Sequence, residues 1–472
     1  MSHVGNSFRG PLCRLGALGA GLLIGAILSQ AVPAPGGASV GLWLVAPFVL
    51  MLASIATMPF IHGRVWEEHY PDFAFGLGGV VAGYYLLALG SSGQAALGHA
   101  GLEYFQFMAL VGSLYVVCGG IFVNVTGRGR PLVNTLLLAS GAVLANVVGT
   151  TGASMLLIRP FLRINHGRAH AFHVAMFIMI ISNCGGCLTP IGDPPLFLGY
   201  LTGVPFLWTL QNLVGPWLFV NGALLAIFFF MDRRTKAVAQ VPDAERMRIS
   251  ISGTSSLIIL PLIIAAVLLD ARVREALHWE HVPVGALLHV ALAVAAYRLA
   301  DRTILARNEF NLKPIREVGF LFSGIFATMV PALAYLQPNA AELGLQAPLQ
   351  FYFMSGSLSS VLDNAPTYLS FLQAAFGLAG LPMESSHMQR FITESFTLKS
   401  GYVLEGARTL AAISLGSVFF GGMTYIGNGP NFMVKAIAEA TGAKAPSFFG
   451  YFALALLVLL PVLVAAGLIF LR

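Results

Sequence analysis

The sequence predicts an all-α polytopic membrane protein: about 11 transmembrane helices plus two re-entrant helical hairpins, arranged as an inverted repeat. Three observations carry this. Hydrophobic residues fill 57% of the 472 positions and charged ones only 10%, whereas a soluble domain needs roughly a quarter charged. Apolar runs of about twenty residues, long enough to cross a bilayer as helices, recur along the whole length. One cadence also occurs twice, GGCLTPIGDPPLF at 185–197 and GGMTYIGNGPNF at 421–432.

Taken in order, the spans fall near 15–31, 39–61, 71–90, 102–125, 170–200, 205–231, 254–270, 282–300, 316–336, 402–434 and 447–471. Between the fourth and fifth lies 131–163, interrupted by Asn146, Gly149, Thr150 and Thr151. Its counterpart, 347–377, is interrupted at Asp363, Asn364 and Pro366. Both read as hairpins that enter and leave on one side, because irregular backbone survives at membrane depth only under protein or beside a watery cavity. The resulting organisation is an N-terminal helix or signal-anchor (1–38), a first repeat (39–231), a cytoplasmic linker (232–253) and a second repeat (254–472). Arg9 and Arg14 precede the first apolar run and QAVPAPGG follows it. That pattern suits either an uncleaved helix, the preferred reading, or a removed signal covering residues 1–34.

With the N-terminus and the loops near 62–70, 126–130, 159–168, 232–253, 298–316 and 435–446 placed inside, 20 of the 26 Lys and Arg lie on that side. The bias orients the chain in a cell inner membrane by the positive-inside rule. The net charge of +6 is therefore a topology signal, and no aromatic-basic module points to a nucleic acid. Cys13, Cys118, Cys184 and Cys187 lie in or beside apolar segments, so no disulfide framework is expected.

The doubled cadence aligns Thr189, Ile191, Gly192, Asp193, Pro195 and Phe197 with Thr424, Ile426, Gly427, Asn428, Pro430 and Phe432 at one offset. Upstream, LANVVGTTGAS faces LDNAPTYLS, with Asn146 matching Asn364. Related halves of opposite orientation, each with broken helices, are the mark of an alternating-access transporter. The plainer alternative is that Gly and Pro merely kink packed helices, but four interruptions at matching places weigh against it.

Broken helices free backbone groups that, with hydroxyl and amide side chains, can replace the hydration shell of a small ion. One site is expected from Asn146, Thr150, Thr151, Ser182, Asn183, Thr189 and Asp193. Its twin is expected from Asp363, Asn364, Thr367, Thr424, Asn428 and Asn431. All offer oxygen, which suits a hard cation, and sodium at Asp193, Asn146, Asp363 and Asn364 is the expected occupant. An uncompensated carboxylate near the bilayer centre is costly, so Asp193 and Asp363 should be partly protonated when no cation is bound. Competition of proton and sodium for one carboxylate is the simplest basis for exchange. The rival reading makes each aspartate a cap for the helix that follows.

Other candidates are weaker. Cys184 and Cys187 have CxxC spacing but no partner pair, so small apolar packing is preferred over metal or redox chemistry. Arg159 and Arg163 could meet an anionic substrate, although anchoring at the cytoplasmic interface is the plainer role. His166, His170 and His173 read as solvated interfacial residues, with pH sensing as the alternative.

The motifs ANVVGTTGASMLLIRPFLRIN, SNCGGCLTPIGDPP, LDNAPTYL and YIGNGPNF resemble the ion-transporter superfamily over about residues 39–471. That superfamily groups NhaD-type sodium:proton antiporters, arsenite permeases, citrate–metal carriers and dicarboxylate carriers. The chain is most similar to the sodium:proton antiporters and citrate transporters. The resemblance implies a homodimer, with a scaffold holding the dimer and a transport part moving as an elevator. Dicarboxylate carriers of the superfamily show Ser-Asn-Thr triplets at hairpin tips and broken spans, which this chain lacks, and that departure favours a cation as cargo. Na+/H+ exchange is thus the leading expectation, with Na+- or H+-coupled uptake of citrate, a dicarboxylate or a metal–citrate complex as the alternative. Arsenite export has no arranged cysteine behind it. A membrane enzyme would not need two oppositely oriented copies of its site, so neither catalysis nor a cofactor is expected.

Overall fold

The computed structural model describes residues 9–32, 41–235, 248–277 and 282–472. Residues 33–38 of the N-terminal segment and 236–247 of the linker lie outside them. The described chain is mostly helical, with two short antiparallel strand pairs, Phe122–Thr126 with Arg248–Ser252 and Ser395–Thr397 with Val403–Glu405. It forms two compact units. One comprises Met1–Met108, Asn311–Gly344 and Leu372–Pro382, and the other Ala109–Phe310, Leu345–Phe371 and Met383–Arg472. Each unit draws on both sequence halves.

Among the described residues, seven helices are long and apolar enough to cross a membrane, against eleven spans expected. The difference has a local cause. Ala171–Gly186, Thr254–Asp270 and Val284–Leu299 are apolar but short, and the broken spans stop where Gly, Pro and Asn interrupt the backbone ladder. The multi-pass helical class stands.

In the first unit, the helix Arg9–Ala31 lies backbone to backbone on Gly63–Ala88. A Cβ at Gly25 would stand 2.3 Å from the Val80 carbonyl oxygen, and one at Gly83 would stand 2.5 Å from that of Leu22. Gly21 and Gly25 on one helix, and Gly79 and Gly83 on the other, are spaced by four, the small-residue pattern that lets membrane helices approach closely. Lys313–Asn339 packs on the same helix, with Gly324 against Ala74, and stacks Phe322 on Phe107 of the helix Gly90–Gly119 at 4.8 Å.

The second unit holds the first expected hairpin and the second as far as Phe371. Pro131–Ile164 spans 34 residues, which would stretch about 51 Å if straight. Yet Asn134 and Asn165, at its two ends, exchange side-chain hydrogen bonds of 2.8 Å. The element therefore folds back on itself rather than running through. The turn is Gly149, at φ 78° and ψ 156°, a backbone region open in practice only to glycine. The second hairpin turns between Pro348–Ser359 and Asn364–Leu378, and rings of Phe351 and Phe371 on its two arms meet at 6.5 Å.

Candidate functional site

Two helix breaks face the hairpins, and they match in detail. Asp193 precedes Pro194–Leu201 with φ −148° and ψ 145°. Asn428 precedes Gly429–Ala440 with φ −153° and ψ 139°. Thr189 Oγ1 donates to the Asn146 carbonyl at 2.5 Å, and Thr424 Oγ1 donates to the Ser360 carbonyl at 2.5 Å. The equivalent of Asn146 in the second hairpin is thus Ser360, not Asn364. One turn further along, Thr150 corresponds to Asn364.

Those two residues meet on Asp193. Its Oδ1 accepts from Thr150 Oγ1 at 2.7 Å and from Asn428 Nδ2 at 3.0 Å, while Oδ2 accepts from Asn364 Nδ2 at 2.5 Å. The side chain is 1% exposed. Although Asp193 stands at a helix start, it makes no capping bond there. Asp363 does cap: its Oδ1 accepts from Ala365 N at 3.1 Å. The rival reading therefore describes Asp363 and not Asp193.

The expected pair of sites is one shared cluster. Asn364 and Asn428, assigned to the twin, join Asp193, and Asn428 Nδ2 also donates to the Ser182 carbonyl at 3.0 Å. Asn183 donates to Asn431 Oδ1 at 2.8 Å, while Ser182 pairs with Ser154 at 2.7 Å. Other expected members make no hydrogen bond to the carboxylate. Thr367 bonds the Asp363 carbonyl at 3.0 Å within its own helix, Thr424 holds Ser360, and Thr151 lines the adjacent cavity. Asn146 is spent on the backbone: Nδ2 donates to Ala142 and Gly185, and Oδ1 accepts from Leu188 N. It braces the break and has little left for an ion.

The carbonyls freed by the breaks are largely taken as well. Trp217 Nε1 donates to Gly185 O at 2.8 Å, Asn221 Nδ2 to Cys184 O at 3.1 Å, and Tyr451 Oη to Gly422 O at 2.7 Å. Asn431 Nδ2 donates to the carbonyls of both Gly421 and Thr424 at 2.9 Å. Buried polar groups must find partners, so the protein satisfies its own broken backbone. Among the side-chain oxygens, Asn364 Oδ1 and Asn183 Oδ1 are buried with no hydrogen-bond partner. A cavity of about 40 Å³ adjoins Asp193, lined by Gly149, Thr150, Thr151, Ile191 and Gly192 among others. It has room for a few water molecules.

Sequence reasoning missed several supports. Ser154 lies one turn after Thr150 on the same helix face, which helical spacing could have revealed. Trp217, Asn221 and Tyr451 carry no such signal. It also misread one group of charges. His173 is fully buried rather than solvated: Nδ1 accepts from His170 N at 3.0 Å and Nε2 meets Asp232 Oδ1 at 3.0 Å. Arg168 is buried against the same carboxylate at 2.5 Å, and Asn134 donates to it at 2.7 Å. His166 and His170 are exposed. Cys184 and Cys187 are buried free thiols, and no group of three His, Cys, Asp or Glu side chains converges among the described residues.

A multi-pass helical bundle whose helix breaks close on a buried carboxylate is the architecture of a membrane carrier for small solutes. The chain belongs to the family described as "putative citrate transport", whose profile matches residues 37–471. No curated protein is similar enough in sequence to match it.

Proposed function

We propose that the chain is a secondary active transporter of the inner membrane that exchanges Na+ for H+ at Asp193, and that it works as a homodimer. The observation that carries this reading is the setting of Asp193. It is fully buried, its three partners are neutral donors, and no described ion pair includes it. A bare carboxylate there costs several kcal/mol. A proton removes that cost, and so does a sodium ion, and both claim the same oxygens. One must leave before the other binds. Thr150 and the unpartnered Asn364 Oδ1 supply further oxygens of the kind a hard cation takes. The small cavity suits an ion rather than a tricarboxylate. Alternating access would follow from two oppositely oriented repeats, 39–231 and 254–472, whose hairpins are re-entrant and move with the site as an elevator within the lipid bilayer.

Family membership favours a second reading, Na+- or H+-coupled citrate uptake. Here the helix starts at Pro194, Asn364 and Gly429 would turn their positive ends toward the anion, with Asp193 holding the coupling ion. Proteoliposomes separate the two. An outward sodium gradient that acidifies the lumen without citrate supports exchange. Labelled citrate that accumulates only with an inward gradient of sodium or protons, and no proton movement without citrate, replaces exchange with coupled uptake.

A further inference from the structure

The second unit contains a larger basin, about 640 Å³, far from neutral in charge. Arg159, Arg163, Arg168, Arg307 and Lys444 line it, and Glu309 is the only carboxylate among the lining residues. Two of the five cations are matched: Arg168 by Asp232, and Arg159 by Glu309 at 3.0 Å. Arg163, Arg307 and Lys444 are exposed, and no described ion pair includes them. Arg163 donates to the neutral Asn124 Oδ1 at 2.6 Å. Its guanidinium also shares the Phe122 ring with that of Arg307, at 5.8 and 5.6 Å from the ring centre. Two like charges gathered at one ring repel, and an anion between them relieves this.

The backbone supports the same focus. Glu309 is the only described non-glycine residue with positive φ, at 50°. It follows Arg302–Arg307 and Asn308, with Glu309 N bonded to Ala306 O and Phe310 N to Leu305 O. That is the helix-ending position where glycine is favoured. A glutamate held there against its backbone preference puts its carboxylate on Arg159, which leaves the remaining cations facing the basin.

We propose that this basin binds a compact oxyanion carrying two or more negative charges, gripped by the forked donors of Arg163 and Arg307 and by Lys444. Its source is either a soluble anion or the headgroup of an acidic phospholipid. The site is separate from Asp193 and stands or falls independently of the exchange reading.

The test is calorimetric titration of potassium pyrophosphate into the purified full chain, held in nanodiscs of zwitterionic lipid at low ionic strength. Saturable binding is expected. It should weaken at least tenfold in R163Q/R307Q/K444Q, and fall steeply with added salt because exposed charges are screened. A second arm uses nanodiscs containing acidic phospholipid. Unchanged pyrophosphate affinity there marks a soluble anion as the occupant. Competition, with acidic lipid retained in native mass spectrometry, marks a headgroup. R307Q and K444Q singly, each on an exposed side chain, should give intermediate losses and guard against a misfolded triple variant. No saturable pyrophosphate binding together with no retained acidic lipid, or equal binding in the variants, overturns the proposal.

Discussion

Replacing Asp193 by Asn is the most direct perturbation of the site, since it removes the charge and keeps the shape. The carboxylate accepts three hydrogen bonds, from Thr150, Asn364 and Asn428. An amide offers only one oxygen, so one of these donors is left facing another donor, at a cost of about 1–3 kcal/mol. The loss to a bound cation is larger. At an effective dielectric near 20, a unit charge about 2.4 Å away contributes roughly 7 kcal/mol. If half is offset by the water the ion gives up, about 3.5 kcal/mol remains, or several-hundred-fold in affinity. Purified Asp193→Asn in proteoliposomes with a luminal pH dye should therefore show no sodium-driven proton movement. Asp193→Glu should keep a fraction of it. Wild-type exchange by a folded Asp193→Asn protein would refute the reasoning, because a neutral side chain would then be doing the work assigned to a charge.

Three further outcomes are expected. Gly149→Ala should lower thermal stability by about 1–3 kcal/mol, because alanine cannot comfortably hold φ 78° and ψ 156°; an unchanged melting curve would remove the hairpin turn from the argument. Asp363→Ala should cost about 1 kcal/mol of stability through the lost cap and slow exchange less than Asp193→Asn does, as read by the same dye. Asp232→Asn leaves Arg168 buried without its charge partner, so a loss of about 3–5 kcal/mol is expected, seen as a sharp fall in monodisperse yield.

The sequence made the interruptions legible because Gly, Pro and Asn break a helix wherever they cluster, whatever surrounds them. Asp193 and Asn428 could be matched for the same reason, and their backbone angles agree within a few degrees. The hairpin register was not legible. Asn146 and Asn364 look alike in one dimension, yet Asn146 braces backbone and Asn364 holds a carboxylate. Only the third dimension brings the second break onto the first, through Asn428, 235 residues from Asp193. The burial of His173 was hidden likewise, since its partner Asp232 is 59 residues away and leaves no local period. Charge near a helix end reads as solvated until a distant carboxylate is found beneath it.

The meeting of three chain breaks on one side chain constrains how the molecule can be loaded. A newcomer at Asp193 either takes the one acceptor position its three donors leave on Oδ2 or displaces Thr150, Asn364 or Asn428, and each of those belongs to a different interruption of the fold. Occupancy of that carboxylate and the grip between hairpins and broken helices are then linked through the same oxygens. Under the proposed exchange, loading the carboxylate would loosen that clasp and free the carrier to shift.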